Sequence, residues 1–331
     1  MSIRTSPWSL TLLMVLLCLV LPSPSWAEPS RMVKLPIQRQ VNVKVAKKQS
    51  MYRPLRVMTF NIAHGSNNPM GIVPLFAKAS TIRKRLRRIA TYFKTVKADV
   101  IGLQEADGPS WWSGWFNHVT YLSKQGMYPY SGLGIHVQTR TKQYGTALLS
   151  RLPLQKSISY RFKPLSMFKK GFVLAQVKWP GRSNVVVDVV SLHLDPQNKS
   201  IQSKQLKELV AVLKKRNNRV IVLGDFNTTW GAKSPLQVMV KSLKLKTFQP
   251  KNKKLYTHRF PKKKRIDWIF ISPNLRFVTH SVPHKNFTDH YPVIADIALA
   301  KKSPKTRPTS APTSRPQSRK LTSYPFLYFR F

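Results

Sequence analysis

The 331-residue chain carries a single cysteine, Cys18. One thiol excludes a disulfide framework, so no disulfide partner is expected, and it excludes a zinc site built from cysteines. Acids are nearly as scarce: 11 Asp and Glu stand against 57 Lys and Arg, for a formal charge of +46. So one-sided a balance says nothing of the fold. It points to a polyanionic partner, nucleic acid or an anionic membrane surface, rather than to a charge that only resists aggregation. Beyond Leu21 no stretch is long and apolar enough to cross a bilayer as a helix. No internal repeat is visible. What is present, 42% hydrophobic and 11% aromatic residues, can fill a core and excludes disorder throughout the chain. The length allows two domains, yet single α/β domains of about 250 residues are common.

Cys18 lies in a leader. Arg4, the apolar run Leu10–Leu21, Pro22, Pro24 and Ser25-Trp26-Ala27 follow the charged, apolar, small-residue order of a secretory signal peptide. Residues 1–27 are therefore expected to be cleaved after Ala27, giving an exported protein, periplasmic or secreted. Residues 28–52, with Lys34, Arg39, Lys44, Lys47 and Lys48, read as a basic linker or a loose first strand. Residues 300–331 read as a disordered basic tail, because Lys301–Lys320 is rich in Pro, Ser and Thr and contains no acid. Between them, residues 53–299 alternate strand and helix patterns. Leu55–Ile62, Val100–Glu105, Phe172–Trp179, Val185–Leu194, Val220–Phe226 and Ile266–Ile271 are short β-branched runs. Ile82, Leu86, Ile89, Phe93 and Val96 mark one helix face, Leu206, Leu209, Val210 and Leu213 another, and Ser234-Pro235 a third helix start. Strands mixed with helices give the α/β class.

Scarcity makes each acid informative. Glu105, Asp225, Asp267 and Asp289 lie at or just beyond strand patterns, where α/β folds commonly place ligands. Asn61, His193, Asn227 and His290 stand beside them. Hard oxygen ligands without cysteine suit Mg²⁺ or Mn²⁺, and carboxylate–histidine pairs suit acid–base work.

In chain order the motifs are Thr59-Phe60-Asn61-Ile62, Gly102-Leu103-Gln104-Glu105, Ser191-Leu192-His193, Gly224-Asp225-Phe226-Asn227, Arg265-Ile266-Asp267-Trp268 and Thr288-Asp289-His290-Tyr291-Pro292-Val293. This series resembles the endonuclease/exonuclease/phosphatase superfamily, whose members include pancreatic-type deoxyribonucleases, abasic-site repair nucleases, neutral sphingomyelinases and inositol polyphosphate phosphatases. The resemblance spans about Arg53 to Leu299. It implies a four-layer α/β/β/α sandwich of two packed mixed sheets flanked by helices. It also implies that Glu105 is the principal Mg²⁺ ligand, that Asn61 shares the metal and phosphate site, and that Asp289 is a further metal-side carboxylate. Asp225 and Asn227 would contact the attacking water and the scissile phosphate, His290 would pair with Asp267, and His193 would donate to a phosphate oxygen. Either Asp225 or His290 is the general base. Ala63, where repair nucleases often have an acid, and His193, where they tend to have tyrosine, argue against abasic-site repair.

Several features bear on substrate. Lys262-Lys263-Lys264-Arg265 precedes Asp267 and suits a loop that grips phosphates, or an exposed basic turn. Trp111 and Trp112, with Trp115 and Phe116, follow Glu105 and suit core packing, base stacking or entry into a lipid surface. His64 beside Gly65 is a candidate substrate contact. The five bases Arg83, Lys84, Arg85, Arg87 and Arg88 read as the solvated face of a helix. The expected function is an exported, monomeric, metal-dependent hydrolase of phosphodiester bonds acting on nucleic acid. The alternatives are a phospholipase C-type or phosphoinositide-type lipid phosphodiesterase or phosphatase, and a non-catalytic polyanion-binding protein.

Overall fold

The computed structural model describes residues 31–40, 43, 51–66, 77–165 and 167–300. The expected leader, residues 1–27, and the tail from residue 301 lie outside the described residues, as does most of the stretch 41–50.

In chain order the strands are β1 (Met32–Lys34), β2 (Gln38–Arg39), β3 (Leu55–Asn61), β4 (Val100–Asp107), β5 (Tyr130–Gln138), β6 (Gln143–Ser150), β7 (Gln155–Arg161), β8 (Gly171–Trp179), β9 (Arg182–His193), β10 (Arg219–Asp225), β11 (Lys246–Thr247), β12 (Asp267–Ile271), β13 (Leu275–Ser281) and β14 (Val293–Leu299). The α-helices among the described residues are α1 (Ala79–Val96), α2 (His118–Gly126), α3 (Lys199–Lys214) and α4 (Leu236–Leu243). One seven-stranded sheet runs β1-β7-β8-β9-β10-β12-β11, and the other, also of seven, runs β13-β14-β3-β4-β6-β5-β2.

The β-branched runs are continuous rather than alternating because the central strands are buried on both faces. Val187 and Val189 of β9, with Ile221 and Leu223 of β10, meet Leu55, Val57 and Val100 of the other sheet in the middle layer. On the opposite face of the same strands, Val190, Leu192 and Val222 pack against Leu206, Leu209 and Leu213 of α3 and Met239 of α4. Met58, Phe60 and Ile101 do likewise with Ile82, Leu86 and Phe93 of α1 and Leu122 of α2. The result is the α/β/β/α sandwich.

Local signals place the helices. Asn198 caps α3 by accepting hydrogen bonds from the backbone amides of Ser200 and Ile201. At the start of α4, Ser234 Oγ accepts from the Leu236 amide. Helix α1 ends at Lys97 in the left-handed region, its amide bonded to the Phe93 carbonyl. Arg83, Lys84, Arg87 and Arg88 of α1 are exposed, so this basic cluster is the solvated face.

The folded region starts earlier than residue 53. Within the segment expected as a linker, β1 pairs antiparallel with β7 and β2 with β5, adding an outermost strand to each sheet. Polar, basic residues such as Lys34 and Arg39 suit an edge strand, which has one paired side and open water on the other.

Gly102 marks a close approach of the two sheets. A Cβ there would lie 2.1 Å from Leu223 Cδ1 and 2.9 Å from Ser191 Oγ. Beside it Gln104 Nε2 donates across the interface to Ser191 Oγ at 3.0 Å, a polar tie in an apolar layer.

Two parallel pairings position the site. β3 pairs parallel with β4, and β9 with β10, so Asn61, Glu105, His193 and Asp225 all fall toward carboxyl ends. Register does the rest: Asp225 stands opposite His193 on β9 and opposite Asp267 on β12.

Candidate active site

One carboxylate oxygen gathers the site. Asp225 Oδ2 accepts a hydrogen bond from Asn61 Nδ2 at 3.0 Å and faces His193 Nε2 at 3.5 Å and His290 Nε2 at 3.7 Å. Its partner oxygen Oδ1 accepts from the Asn227 amide at 2.9 Å. Asn227 has φ of +50°, a left-handed backbone that turns its side chain back to the site. There Nδ2 donates to the Leu194 carbonyl at 3.1 Å and to His193 Nε2 at 3.0 Å. Behind His290, Asp267 Oδ2 lies 2.8 Å from Nδ1. Thr288 Oγ1 donates to the Asn61 carbonyl at 3.0 Å, tying the loop that carries Asp289 and His290 to the end of β3.

Glu105 reaches the site through a bulge. Between Gln104 and Ala106 the β4–β6 register shifts, and Glu105 takes φ of +51°. Its carboxylate lies 3.6 Å from His64 Nε2 and 4.0 Å from His193 Nε2. Ala63, His64, Glu105 and Asn227 all have positive φ, so four left-handed residues meet at this one centre.

The two central histidines are driven apart in charge. For His290, burial pulls toward the neutral form, but Asp267 and Asp225 outweigh it and push the imidazolium up to about 10. His193 goes the other way: burial first, then the charges of Lys170 and His290, hold it well below its usual value. Asp225 is pushed up to about 6 by burial and by the Asp267 charge, against the pull of His290 and its hydrogen bonds. Groups forced apart in this way take different acid–base roles.

The outer members divide. Asp289 Oδ2 lies 3.5 Å from His258 Nε2, and although burial opposes it, His258 and His290 hold its carboxyl below the usual range. His64 is buried, with Nδ1 2.6 Å from Asp107 Oδ1. Lys262, Lys263 and Lys264 are exposed as expected, with Lys263 Nζ 4.9 Å from the centre of the Tyr256 ring.

Two residues are not the substrate contacts they resembled. Arg265 is only 7% exposed; it turns inward, donates to the Gln249 and Phe248 carbonyls and lies 4.1 Å over the Trp268 ring. A guanidinium with a flat face and several donors finds such partners where the neighbouring lysines do not. Trp112 is 8% exposed and donates its indole N–H to Asp107 Oδ2 at 2.8 Å, so it braces the site instead of offering a face. Trp111 and Trp115 stay 38% and 58% exposed.

Three residues of the site carry no mark in the motif series. Lys170 Nζ lies 3.2 Å from both ring nitrogens of His193; burial lowers its pKa while Glu105 and Asp225 counteract. Among 57 bases nothing singles it out. Asp107 was findable, as one of the 11 acids and close to Glu105. His258 pairs by backbone with His290 across an isolated bridge, and only folding reveals that.

The donor set fits a divalent cation. Glu105 and Asp225 bring hard oxygens to within 4.0 Å of His193 Nε2, with Asn61 bonded to Asp225, and Asp289 brings another beside His258. Asp267 Oδ1 and Asp289 Oδ1 are buried without a hydrogen-bond partner. Ligand atoms of Asp225, Asp267 and His290 lie within 4.8 Å of one another, as do those of His258, Asp289 and His290.

The sequence model of the endonuclease/exonuclease/phosphatase family matches residues 58–290. A search of curated proteins gave no match. Similar solved structures include the endonuclease/exonuclease/phosphatase from Beutenbergia cavernae, with a TM-score of 0.59 and 20% identity over 75% of this chain and 72% of that one. Humanized D. rerio TDP2 has a TM-score of 0.54 and 18% identity, covering 74% of this chain and 99% of that one. A Staphylococcus aureus beta toxin variant with bound magnesium ions has a TM-score of 0.53 and 19% identity over 75% and 100% of the two chains. At these identities the likeness is one of fold.

Proposed function

Because the chain belongs to the endonuclease/exonuclease/phosphatase family, hydrolases acting on phosphoester bonds, we propose that it is an exported, divalent-metal-dependent phosphodiesterase that cleaves nucleic acid. The observation that carries the chemistry is the placement of Asp225 Oδ2 against Asn61, His193 and His290. The excess of 57 bases over 11 acids supports the substrate class, since counterion release from a polyanion drives binding to such a surface. The leader pattern around Leu10–Leu21 supports export.

Asp225, a carboxylate poised near neutrality, takes the proton of the attacking water. Asn227 and Asn61 fix its orientation from either side. His290, held charged by Asp267, presents Nε2–H to the phosphate and supplies the proton that the leaving oxygen needs. Neutral His193 and the Lys170 ammonium stand on the other flank, where phosphate charge is to be balanced. Glu105 and Asn61, with Asp289, are the residues that would hold Mg²⁺ or Mn²⁺, which when bound supplies neutralisation of phosphate oxygens.

A second reading rests on Trp111 and Trp115, whose exposed rings follow the strand that carries Glu105. Such rings suit a lipid surface, and a phospholipase C-type or phosphoinositide-type activity would use them to enter it. Turnover on plasmid DNA, RNA and anionic mixed-lipid vesicles, run in parallel with Mg²⁺ and with EDTA, decides. EDTA-sensitive cleavage of nucleic acid is the expected result. Headgroup release with intact nucleic acid would replace it with the lipid reading, and no turnover on any substrate would leave a non-catalytic polyanion binder.

With Arg265 turned inward, the basic loop rests on its three lysines. Lys262, Lys263 and Lys264 replaced together by alanine should lower the slope of log affinity for DNA against log salt by about 2–3, roughly one for each phosphate no longer neutralised. Binding isotherms at several salt concentrations measure it. An unchanged slope would locate the binding surface elsewhere.

A further inference from the structure

We propose that His64 is a metal ligand beside Glu105, and that its nitrogen adds affinity for transition cations such as Mn²⁺ that Mg²⁺ does not gain. This rests on the reading of Glu105 as the metal-binding carboxylate. The sequence suggested a substrate contact for His64, but the ring is buried and closed in. It meets Trp112 edge-on at 5.7 Å and Tyr144 at 5.1 Å between ring centroids. Its Nδ1 is occupied by Asp107 Oδ1 at 2.6 Å, and Asp107 is in turn fixed by the Trp112 indole N–H at 2.8 Å. That leaves Nε2, which faces Glu105 Oε2 at 3.6 Å, beyond a hydrogen bond.

Metal-binding histidines are built this way. A carboxylate accepts a hydrogen bond from Nδ1–H, fixes the tautomer, orients the ring and raises the basicity of Nε2. Two donor atoms 3.6 Å apart can share one cation when each bond is about 2.0–2.2 Å long. The backbone commits to the arrangement: Ala63 and His64 both hold positive φ, at 44° and 55°, in the turn that follows Asn61. Asn61 Oδ1 anchors that turn by accepting from the Ala63 amide at 3.0 Å, so the oxygen donor and the nitrogen donor are parts of one unit. Imidazole nitrogen adds affinity for first-row transition cations, least for Mn²⁺ and more along the series, whereas Mg²⁺ takes oxygen and water. An all-oxygen centre also takes Mn²⁺, so the nitrogen shows in the part of the preference that depends on His64.

The test is calorimetric titration of the purified full chain with Mn²⁺ and Mg²⁺ alone, together with the electron spin echo spectrum of bound Mn²⁺. The wild type is expected to bind Mn²⁺ at least tenfold more tightly than Mg²⁺ and to show nitrogen couplings. His64→Gln should weaken Mn²⁺ binding about 10–100-fold, remove a nitrogen coupling and leave Mg²⁺ affinity within about threefold. Asp107→Asn, which keeps the ring, should weaken Mn²⁺ binding about tenfold or more. Unchanged Mn²⁺ affinity and couplings in a His64→Gln protein that melts like the wild type would overturn the proposal. Where His64→Gln melts early, unchanged Mn²⁺ affinity in Asp107→Asn overturns it equally. Glu105→Gln separates the two levels: if it binds both metals as the wild type does, the assignment of Glu105 itself is wrong.

Discussion

Asp225→Asn is expected to lower turnover by about 10³–10⁴-fold while the protein becomes more stable. The shape of the side chain is kept, so the loss would report chemistry. An amide cannot take the proton of an attacking water, although it keeps the shape that Asn61 Nδ2 and the two histidines approach. The gain in stability follows from the sign of the shift. Burial and Asp267 raise the folded-state value to about 6, so at pH 7 the charged form is less favourable in the folded protein than in the unfolded chain. Removing that charge relieves a cost of about 1–3 kcal/mol. Thermal melts in the presence of a chelator, beside single-turnover rates, make the check. An inactive variant with an unchanged or lower melting temperature would mean that the carboxylate is not held under electrostatic stress. A fully active variant would displace Asp225 from the chemistry.

That stress explains why the site is largely legible without the fold. In a chain with 11 acids, a carboxylate left at the end of a buried strand has no solubilising purpose. Asp225 and Asp267 can be found from that alone, and the register that sets them opposite each other then follows from the antiparallel pairing of β10 with β12. The bulge at Glu105 is not legible, because Gln104, Glu105 and Ala106 carry no glycine or asparagine to announce a left-handed residue. Charge runs mislead for a related reason. Lys264 and Arg265 are neighbours of the same sign, yet one meets water and the other spans two carbonyls and an indole. Trp111 and Trp112 divide in the same way, since only the second can reach Asp107. Strands β5 and β6 escape the β-branched pattern because Gly132, Gly134 and Gly145 dilute it, although those glycines are what let the hairpin pack closely. Sequence reports residue type and spacing, whereas these outcomes depend on which partner the fold brings within reach.

The second large effect belongs to the His290–Asp267 pair. His290→Ala should reduce turnover by about 10³-fold, and Asp267→Asn by about 10²-fold or more, through different routes. Alanine removes the proposed proton donor outright. Asparagine keeps the ring but withdraws the carboxylate 2.8 Å from Nδ1, which both orients His290 and is first among the charges that keep it protonated against the opposing effect of burial. Because the two residues act as one unit, the double variant should be no slower than His290→Ala alone within about threefold, instead of showing the product of the two losses. Asp267→Asn should also bring the His290 titration down from about 10 toward the usual imidazole range, which proton NMR of the metal-free protein can follow. Multiplicative losses would mean that Asp267 acts on substrate independently of His290. Its second oxygen Oδ1, buried without a hydrogen-bond partner, would then be the atom responsible.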